Sequence, residues 1–303
     1  MTFQEKLNAI VKKNNSLVCV GLDSDVNKIP EHLKSKENAV FEFNKAIVDA
    51  THDLVCAYKP NSAFYEARGE EGIRDLKMTF NYINNKYPEV FTIIDAKRAD
   101  IGNTNDGYAK YAFDFLKADG ITLHPYLGRE AMGPFLQRED KVSIILCRTS
   151  NPGAGEFQDI VISNEVRDLA TEGSVNKKKN ASLDFSPPAR NDKGVKLYQY
   201  VASQVAKEWN KNNNCMLVVG ATYPQELAKV RKIVGDEMTL LVPGIGAQGG
   251  DVEKTVKAGL NSKGAGMIIN SSRGIIFASS GPDFAEVARQ EAKKLKEEIN
   301  KYR

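Results

Sequence analysis

Eight short apolar runs, each followed by a longer stretch with one apolar face, divide the chain almost from end to end. The runs are Leu17–Leu22, Leu54–Lys59, Val90–Asp95, Gly120–His124, Val142–Arg148, Met216–Gly220, Thr239–Pro243 and Gly266–Asn270. Each has the length of a strand. Helical periodicity falls at about 38–51, 70–86, 104–117, 129–136, 195–211, 224–234, 250–259 and 282–300, and an extra helix at about 2–13 precedes the first strand. Strand and helix alternating in this way dictate a parallel sheet with helices packed outside it.

Two architectures satisfy that alternation: an open doubly wound sheet and a closed barrel. The strand ends choose between them. Nearly every run stops at a polar or Gly/Pro cluster: Asp23, Lys59 to Asn61, Asp95 with Lys97, His124-Pro125, Arg148 to Pro152, Ala221-Thr222, Pro243-Gly244 and Ser271 to Arg273. A closed barrel brings all these ends to one mouth, where the active sites of such barrels lie. The expectation is one (β/α)8 TIM barrel over residues 1–303. The stretch 159–194, with Lys177–Lys179, Pro187-Pro188 and little periodicity, reads as an insertion in the fifth βα connection. It fits a lid or a plain solvated loop equally well.

The formal net charge is +3 and 27% of residues are charged, which suggests neither a nucleic-acid nor a membrane partner. The four cysteines, Cys19, Cys56, Cys147 and Cys215, each sit in an apolar run, without a Cys-x-x-Cys pair. Buried reduced thiols in a cytoplasmic protein are the economical reading, with no zinc site. The N-terminus is polar, and no apolar run approaches the roughly 20 residues that span a bilayer.

The densest chemistry follows the third run. Asp95 and Lys97 leave the strand end on the same side, and Asp100 follows in the loop. Carboxylates and an ammonium packed together are costly unless paired, and they shift one another's pKa. In isolation such a run is more often a surface ion-pair ladder. Its position at a barrel mouth, beside a phosphate site, weighs against that.

That second site follows the seventh run. Gly244-Ile-Gly246-Ala-Gln248-Gly249 satisfies a dinucleotide fingerprint by letters, but it lies late in the chain and lacks the later acidic residue. A phosphate site fits better. Glycines let backbone N–H groups approach an anion, and loops after strands seven and eight of a barrel commonly hold phosphate. Arg273 after the eighth strand supplies a guanidinium, and Gln248 an amide. A tight turn beside a surface arginine is the plainer alternative. His124 reads as a hydrogen-bonded structural histidine and Trp209 as packing, while Tyr65, Glu66 and Arg68 shape a loop. His32 and His52 are given no role.

Five segments together carry a resemblance: Val20 to Asp25, Tyr58 to Glu66, Asp95 to Thr104, Cys147 to Gly153 and Pro243 to Asp251. In order and at strand ends, they resemble the orotidine 5′-monophosphate decarboxylases, in the longer subgroup with Asp-Ala-Lys-Arg-x-Asp-Ile. The resemblance implies a homodimeric barrel, without metal or organic cofactor, that converts orotidine 5′-monophosphate to uridine 5′-monophosphate. It implies that Lys59, Asp95, Lys97 and Asp100 form an alternating charged tetrad. Asp100, Ile101 and Thr104 would reach the partner subunit's site. Asp23 and Lys59 would meet the ribose hydroxyls, Ser150 the pyrimidine, Pro243 the base, and Gln248 and Arg273 the phosphate.

The chemistry fits those roles. Loss of carbon dioxide leaves a carbanion on a ring carbon with little resonance relief, so a fixed cation aimed at that charge is the available device. Lys97 is the expected cation and proton donor. Three rivals share some features: a magnesium-dependent phosphosugar relative with the same Asp-x-Lys-x-x-Asp core, a Schiff-base aldolase using Lys59 or Lys97, and a catalytically silent nucleotide sensor. Lys-Pro-Asn, Thr-Ser-Asn-Pro and Gly-Ala-Gln-Gly-Gly count against the first. Nearby carboxylates keep both lysines protonated and count against the second. The intact tetrad counts against the third.

Overall fold

The computed structural model describes residues 2–162, 194–245 and 250–303. Among them, eight strands close into a parallel barrel: β1 (Val18–Val20), β2 (Ala57–Tyr58), β3 (Phe91–Arg98), β4 (Gly120–Leu123), β5 (Val142–Arg148), β8 (Cys215–Val219), β9 (Leu240–Pro243) and β10 (Met267–Ser271). Closure is made by β1 on β10, with Val18 opposite Ile269 and Val20 opposite Ser271. Each strand falls on one of the eight apolar runs. The runs are continuous rather than alternating because strands of a parallel barrel are buried on both faces.

The bottom of the barrel is sealed by the helix Phe3–Asn14. Thr2 and Glu5 form a capping box at its start, and Asn15 ends it in the left-handed region at φ 44°. Phe3, Leu7 and Ile10 are buried, each worth about 2 kcal/mol of transfer free energy. Lys6 reaches Asp119 at 2.7 Å, just ahead of β4. No helix among the described residues is long and apolar enough to cross a membrane.

Three helical expectations need adjustment. The segment at 129–136 is two short helices, Gly128–Ala131 and Gly133–Leu136, with Pro134 in the first turn of the second. Pro134 has no N–H to continue the helical bonding back to Glu130, and the break falls at Met132. The helices expected at 104–117 and 195–211 each begin as α and finish as a π-turn, over Lys110–Phe115 and Val205–Trp209. Trp209 is 8% exposed and packs into the core as expected.

The inserted stretch expected at 159–194 is framed by an antiparallel pair, β6 (Val161–Ile162) with β7 (Val195–Lys196). Residues 163–193 of it, including Lys177–Lys179, lie outside the described residues.

Two irregularities position the site. The β3–β4 register shifts between Ile94 and Arg98, and the β5–β8 register between Leu146 and Arg148. Both bulges lie at the C-terminal ends of strands. Bulges concentrate at barrel rims, where they re-aim side chains.

Candidate active site

A cavity of about 780 Å³ opens at the C-terminal ends of the strands. Asp23, Lys59, Asp95, Lys97, Ser150, Pro243 and Arg273 all line it. These residues come from six separate strand ends and converge on one space, as the closed barrel requires.

The backbone locks the charged residues together before their side chains meet. The Lys59 N–H donates to the Val20 carbonyl at 3.0 Å, and the Asp95 N–H donates to Pro60 at 2.9 Å. Asn61 pairs with Asp95 as an isolated parallel bridge. Lys59 and Asp95 are therefore neighbours by main-chain pairing. Their side chains then form a chain of ions. Lys59 Nζ lies 2.8 Å from Asp95 Oδ2, and Lys97 Nζ lies 2.6 Å from Asp95 Oδ1. Thr122 Oγ1 donates to the same Oδ1 at 2.8 Å and accepts the Lys97 backbone N–H at 3.0 Å.

The two lysines differ in environment. The Lys59 side chain is 4% exposed and that of Lys97 is 48% exposed. Lys97 also sits at φ +47°, a left-handed conformation that lysine rarely adopts. Such backbone costs on the order of 1–3 kcal/mol and collects at functional sites. The bulge in β3 provides it. The strand runs on to Arg98, beyond the expected end at Asp95, with Lys97 turned back into the mouth.

Electrostatics fixes the protonation of the pair. Burial alone would push the Asp95 carboxyl up, but the ammonium groups of Lys59 and Lys97 hold it well below the usual carboxylate range. Burial would likewise pull Lys59 down, yet Asp95 and then Asp23 hold it above the ordinary lysine range. Asp23 Oδ1 is 4.0 Å from Lys59 Nζ, an ion-pair contact too long for a hydrogen bond, and this buried oxygen has no hydrogen-bond partner among the described residues. A polar atom buried at a cavity wall without a partner is a place for a ligand hydroxyl. Behind the cluster, burial raises the Cys19 thiol to about 12, so it stays protonated.

At the other end of the cavity Arg273 is exposed and follows β10 directly. Ser272 Oγ donates to the Gly21 carbonyl at 2.9 Å. A Cβ on Gly21 would lie 2.7 Å from that of Ser272, so only glycine permits the approach. The glycine loop is pinched at its base, where the Gly250 N–H donates to the Gly244 carbonyl at 3.1 Å. Gly244 has φ +103°. Gln248, expected at the phosphate, lies outside the described residues.

Asp100, Ile101 and Thr104 are not among the residues that line the cavity of one chain. The Asp100 N–H donates to Asn105 Oδ1 at 2.8 Å, and buried Asn105 donates in turn to the carbonyls of Asp100 and Ala131. This anchor leaves Ile101 60% exposed, facing away from its own barrel core. His124 Nε2 lies 3.1 Å from the Ala99 carbonyl, the structural contact expected of it. Tyr65 is buried and donates to the Leu22 carbonyl at 2.8 Å, so it shapes the loop after β1. Glu66 pairs with Arg98, and Arg68 with Asp75 at 2.7 Å.

Sequence reasoning missed Thr122 and Asn61, which hold Asp95 from either side. The signal for Thr122 was a lone hydroxyl in the apolar run beside the Asp-x-Lys strand.

Known proteins resemble the chain along its whole length. A family model described as orotidine 5′-phosphate decarboxylase / HUMPS matches residues 16–290. The orotidine 5′-phosphate decarboxylase of Cellvibrio japonicus is 46% identical over 302 residues, covering 99% of this chain and 98% of that one. That of Dechloromonas aromatica is 46% identical over the full length of both. Among solved structures, the OMP decarboxylase of Leishmania donovani aligns with a TM-score of 0.76 and 35% identity, over 100% of this chain and 98% of that one. The UMP synthase of the same organism aligns with a TM-score of 0.79 and 36% identity; 99% of this chain matches 56% of that longer one.

Proposed function

Because the chain belongs to the orotidine 5′-phosphate decarboxylase / HUMPS family, we propose that the ion chain at its barrel mouth drives loss of carbon dioxide from orotidine 5′-monophosphate. The product is uridine 5′-monophosphate, and the reaction belongs to pyrimidine nucleotide synthesis. The observation that carries the mechanism is the asymmetry of the cluster. Lys59, Asp95 and Thr122 are buried and mutually bonded, and the chain of bonds ends in one half-exposed ammonium, Lys97.

The C6–carboxylate bond breaks and its electron pair stays on C6. The Lys97 ammonium, already oriented by Asp95, faces that pair and lowers its energy by fixed electrostatics. It then transfers a proton to C6 and regains one from water. Asp95 is a like charge beside the substrate carboxylate, and that repulsion disappears as carbon dioxide leaves. Asp23 and Lys59 receive the ribose hydroxyls, Ser150 and Pro243 the pyrimidine, and Arg273 with Gln248 the phosphate. Phosphate binding, remote from the reacting carbon, holds the base in register for the chemistry.

The fourth charge comes from a second copy of the chain. Asp100, Ile101 and Thr104 sit on a loop that leaves its own cavity, and Ile101 presents an apolar side chain to solvent. A homodimer buries that side chain and delivers Asp100 to the neighbouring site. The place of work is the cytoplasm, in keeping with four buried thiols.

The direct test is ultraviolet-monitored turnover of orotidine 5′-monophosphate in excess EDTA. Rapid loss of the substrate band is expected. Turnover of a phosphosugar with magnesium, and none of the nucleotide, would move the protein to the other branch of the family.

A further inference from the structure

Arg148 ends β5, two residues before Ser150, yet its side chain does not line the cavity. That side chain is 3% exposed. It lies over the Tyr223 ring, with the guanidinium carbon 4.1 Å from the ring centroid. Nη1 donates to the Thr149 carbonyl at 3.1 Å and to Gln158 Oε1 at 3.2 Å. Nη2 meets Asp159 Oδ2 at 3.1 Å. Gln158 closes the loop on itself: its Oε1 accepts the Thr149 N–H at 2.9 Å, and its Nε2 donates to Thr149 Oγ1 at 2.9 Å. Asp159 is held from outside by Lys196 of β7 at 3.1 Å.

A second set of contacts presses the same turn onto the barrel. The Gly220 N–H donates to the Arg148 carbonyl at 2.7 Å. A Cβ on Gly220 would lie 2.8 Å from Ser150 Cβ and 3.0 Å from its backbone nitrogen. Ser150 therefore rests directly on the end of β8, with the arginine clasp behind it. The buried Nε has no hydrogen-bond partner among the described residues, so the two Nη groups carry the clasp, and a planar fork with several fixed acceptors pre-organises what it holds.

We propose that Arg148 is a positioning residue for base recognition: its clasp on Thr149, Gln158 and Asp159 fixes the Ser150 turn that reads the pyrimidine. This rests on the assignment of Ser150 to the pyrimidine under the proposed function. The clasp acts on the base end of the cavity and leaves the Arg273 end alone. Its signature is a loss of affinity confined to ligands that carry a base.

The test compares uridine 5′-monophosphate with ribose 5-phosphate, both titrated calorimetrically into the purified protein. In Arg148→Met the affinity for the nucleotide falls by about tenfold, while that for ribose 5-phosphate changes by less than about twofold. Arg148→Lys, which keeps the charge but loses the fork, recovers part of the loss. Equal losses for the two ligands, or no loss for either, would overturn the role. If Arg148→Met does not fold by circular dichroism, Asp159→Ala removes one acceptor at the surface; it is expected to weaken the nucleotide by about threefold and to spare ribose 5-phosphate. Unchanged nucleotide affinity in that variant would equally overturn the proposal. Wild-type turnover of orotidine 5′-monophosphate is measured in the same series. Its absence would refute the assigned reaction, whereas full turnover with unselective losses would refute only the role of Arg148.

Discussion

Both ends of the barrel bury positive charge, and they treat it in opposite ways. At the bottom, Arg231 donates to the carbonyls of Gly259, Gly235, Met238 and Gly266, at 2.5 to 2.9 Å. Asp119 accepts from Lys6 and from both the N–H and the hydroxyl of Thr92. A depression of about 380 Å³ lies at that end too. Several of its polar residues already hold partners: Arg303 meets the Gly264 carbonyl, and Asp236 meets Ser262. At the mouth the pairing stops one step short. Asp95 is saturated, but Lys97 keeps donors facing solvent from a strained backbone, and Asp23 keeps a buried oxygen without a hydrogen bond. Matched groups stabilise a fold and have nothing left to offer a ligand. The unmatched ones at the mouth lower stability and are available for chemistry.

The widest separation between the ends comes from Lys97→Ala. Turnover is expected to fall by about 10³-fold or more, the scale of losing a preorganised charge. Stability should change by no more than about 1 kcal/mol, since the lost ion pair is half exposed. Steady-state kinetics with urea unfolding reads both. Near-normal turnover would remove Lys97 from the mechanism.

Next is subunit complementation. Lys97→Ala and Asp100→Ala are each expected to be inactive alone. A mixed dimer contains one site with both residues intact, so an equal mixture should recover up to about a quarter of wild-type activity. No recovery, with subunit exchange shown by mass spectrometry, would mean that the mouth is not completed in trans.

Arg231→Met reverses the pattern of Lys97→Ala. It strips the guanidinium from the carbonyls of Gly259, Gly235 and Met238, and leaves Gly266 with the Leu240 N–H alone, so a loss of about 3 kcal/mol is expected. Turnover per folded molecule should stay at the wild-type value. A matching fall in turnover would show that the two ends are not independent.

The contrast between the ends was only half visible in the sequence. Lys59, Asp95 and Lys97 were legible because polar residues closing an apolar run stand out, and a barrel sends every such end to one place. The β3 bulge was not. Alternation predicts a strand ending at Asp95 with Lys97 on the same side, whereas the backbone continues to Arg98 and turns Lys97 back through φ +47°. A two-residue period cannot report an extra residue. Arg148 and Thr122 were hidden for a different reason. One polar side chain within or at the end of a buried run looks the same whether it faces a ligand or braces a neighbour. Arg231 was hidden likewise, because a helix pattern with arginine in its last turn reads as an ordinary exposed cation. Asp100, Ile101 and Thr104 stood out by their motif, but they do not line the cavity of their own chain.

The smallest expected effect is the most selective, because it titrates one end and leaves the other untouched. Asp95 has a folded pKa below its unfolded one, so its contribution is complete above about pH 4 and is lost as pH falls toward the lowered folded value. Lys59 has a raised folded pKa, so its contribution is complete below about pH 10 and is lost only as pH rises through that folded value. Between those limits neither group changes charge, and neither should produce an inflection in kcat between about pH 5 and 9. In acid the ends diverge. The stability gap between wild type and Asp95→Asn should narrow by about 1 kcal/mol from pH 7 to pH 3, because the unfolded wild-type carboxyl takes up a proton there and the amide has none to gain. The gap between wild type and Arg231→Met should hold constant over the same range, since a guanidinium does not titrate in acid. Urea midpoints for the three proteins at the two pH values supply the comparison. An unchanging gap for Asp95→Asn would mean that its carboxyl is not held ionised by the two lysines, and the mouth would lose the fixed charge on which Lys97 is oriented.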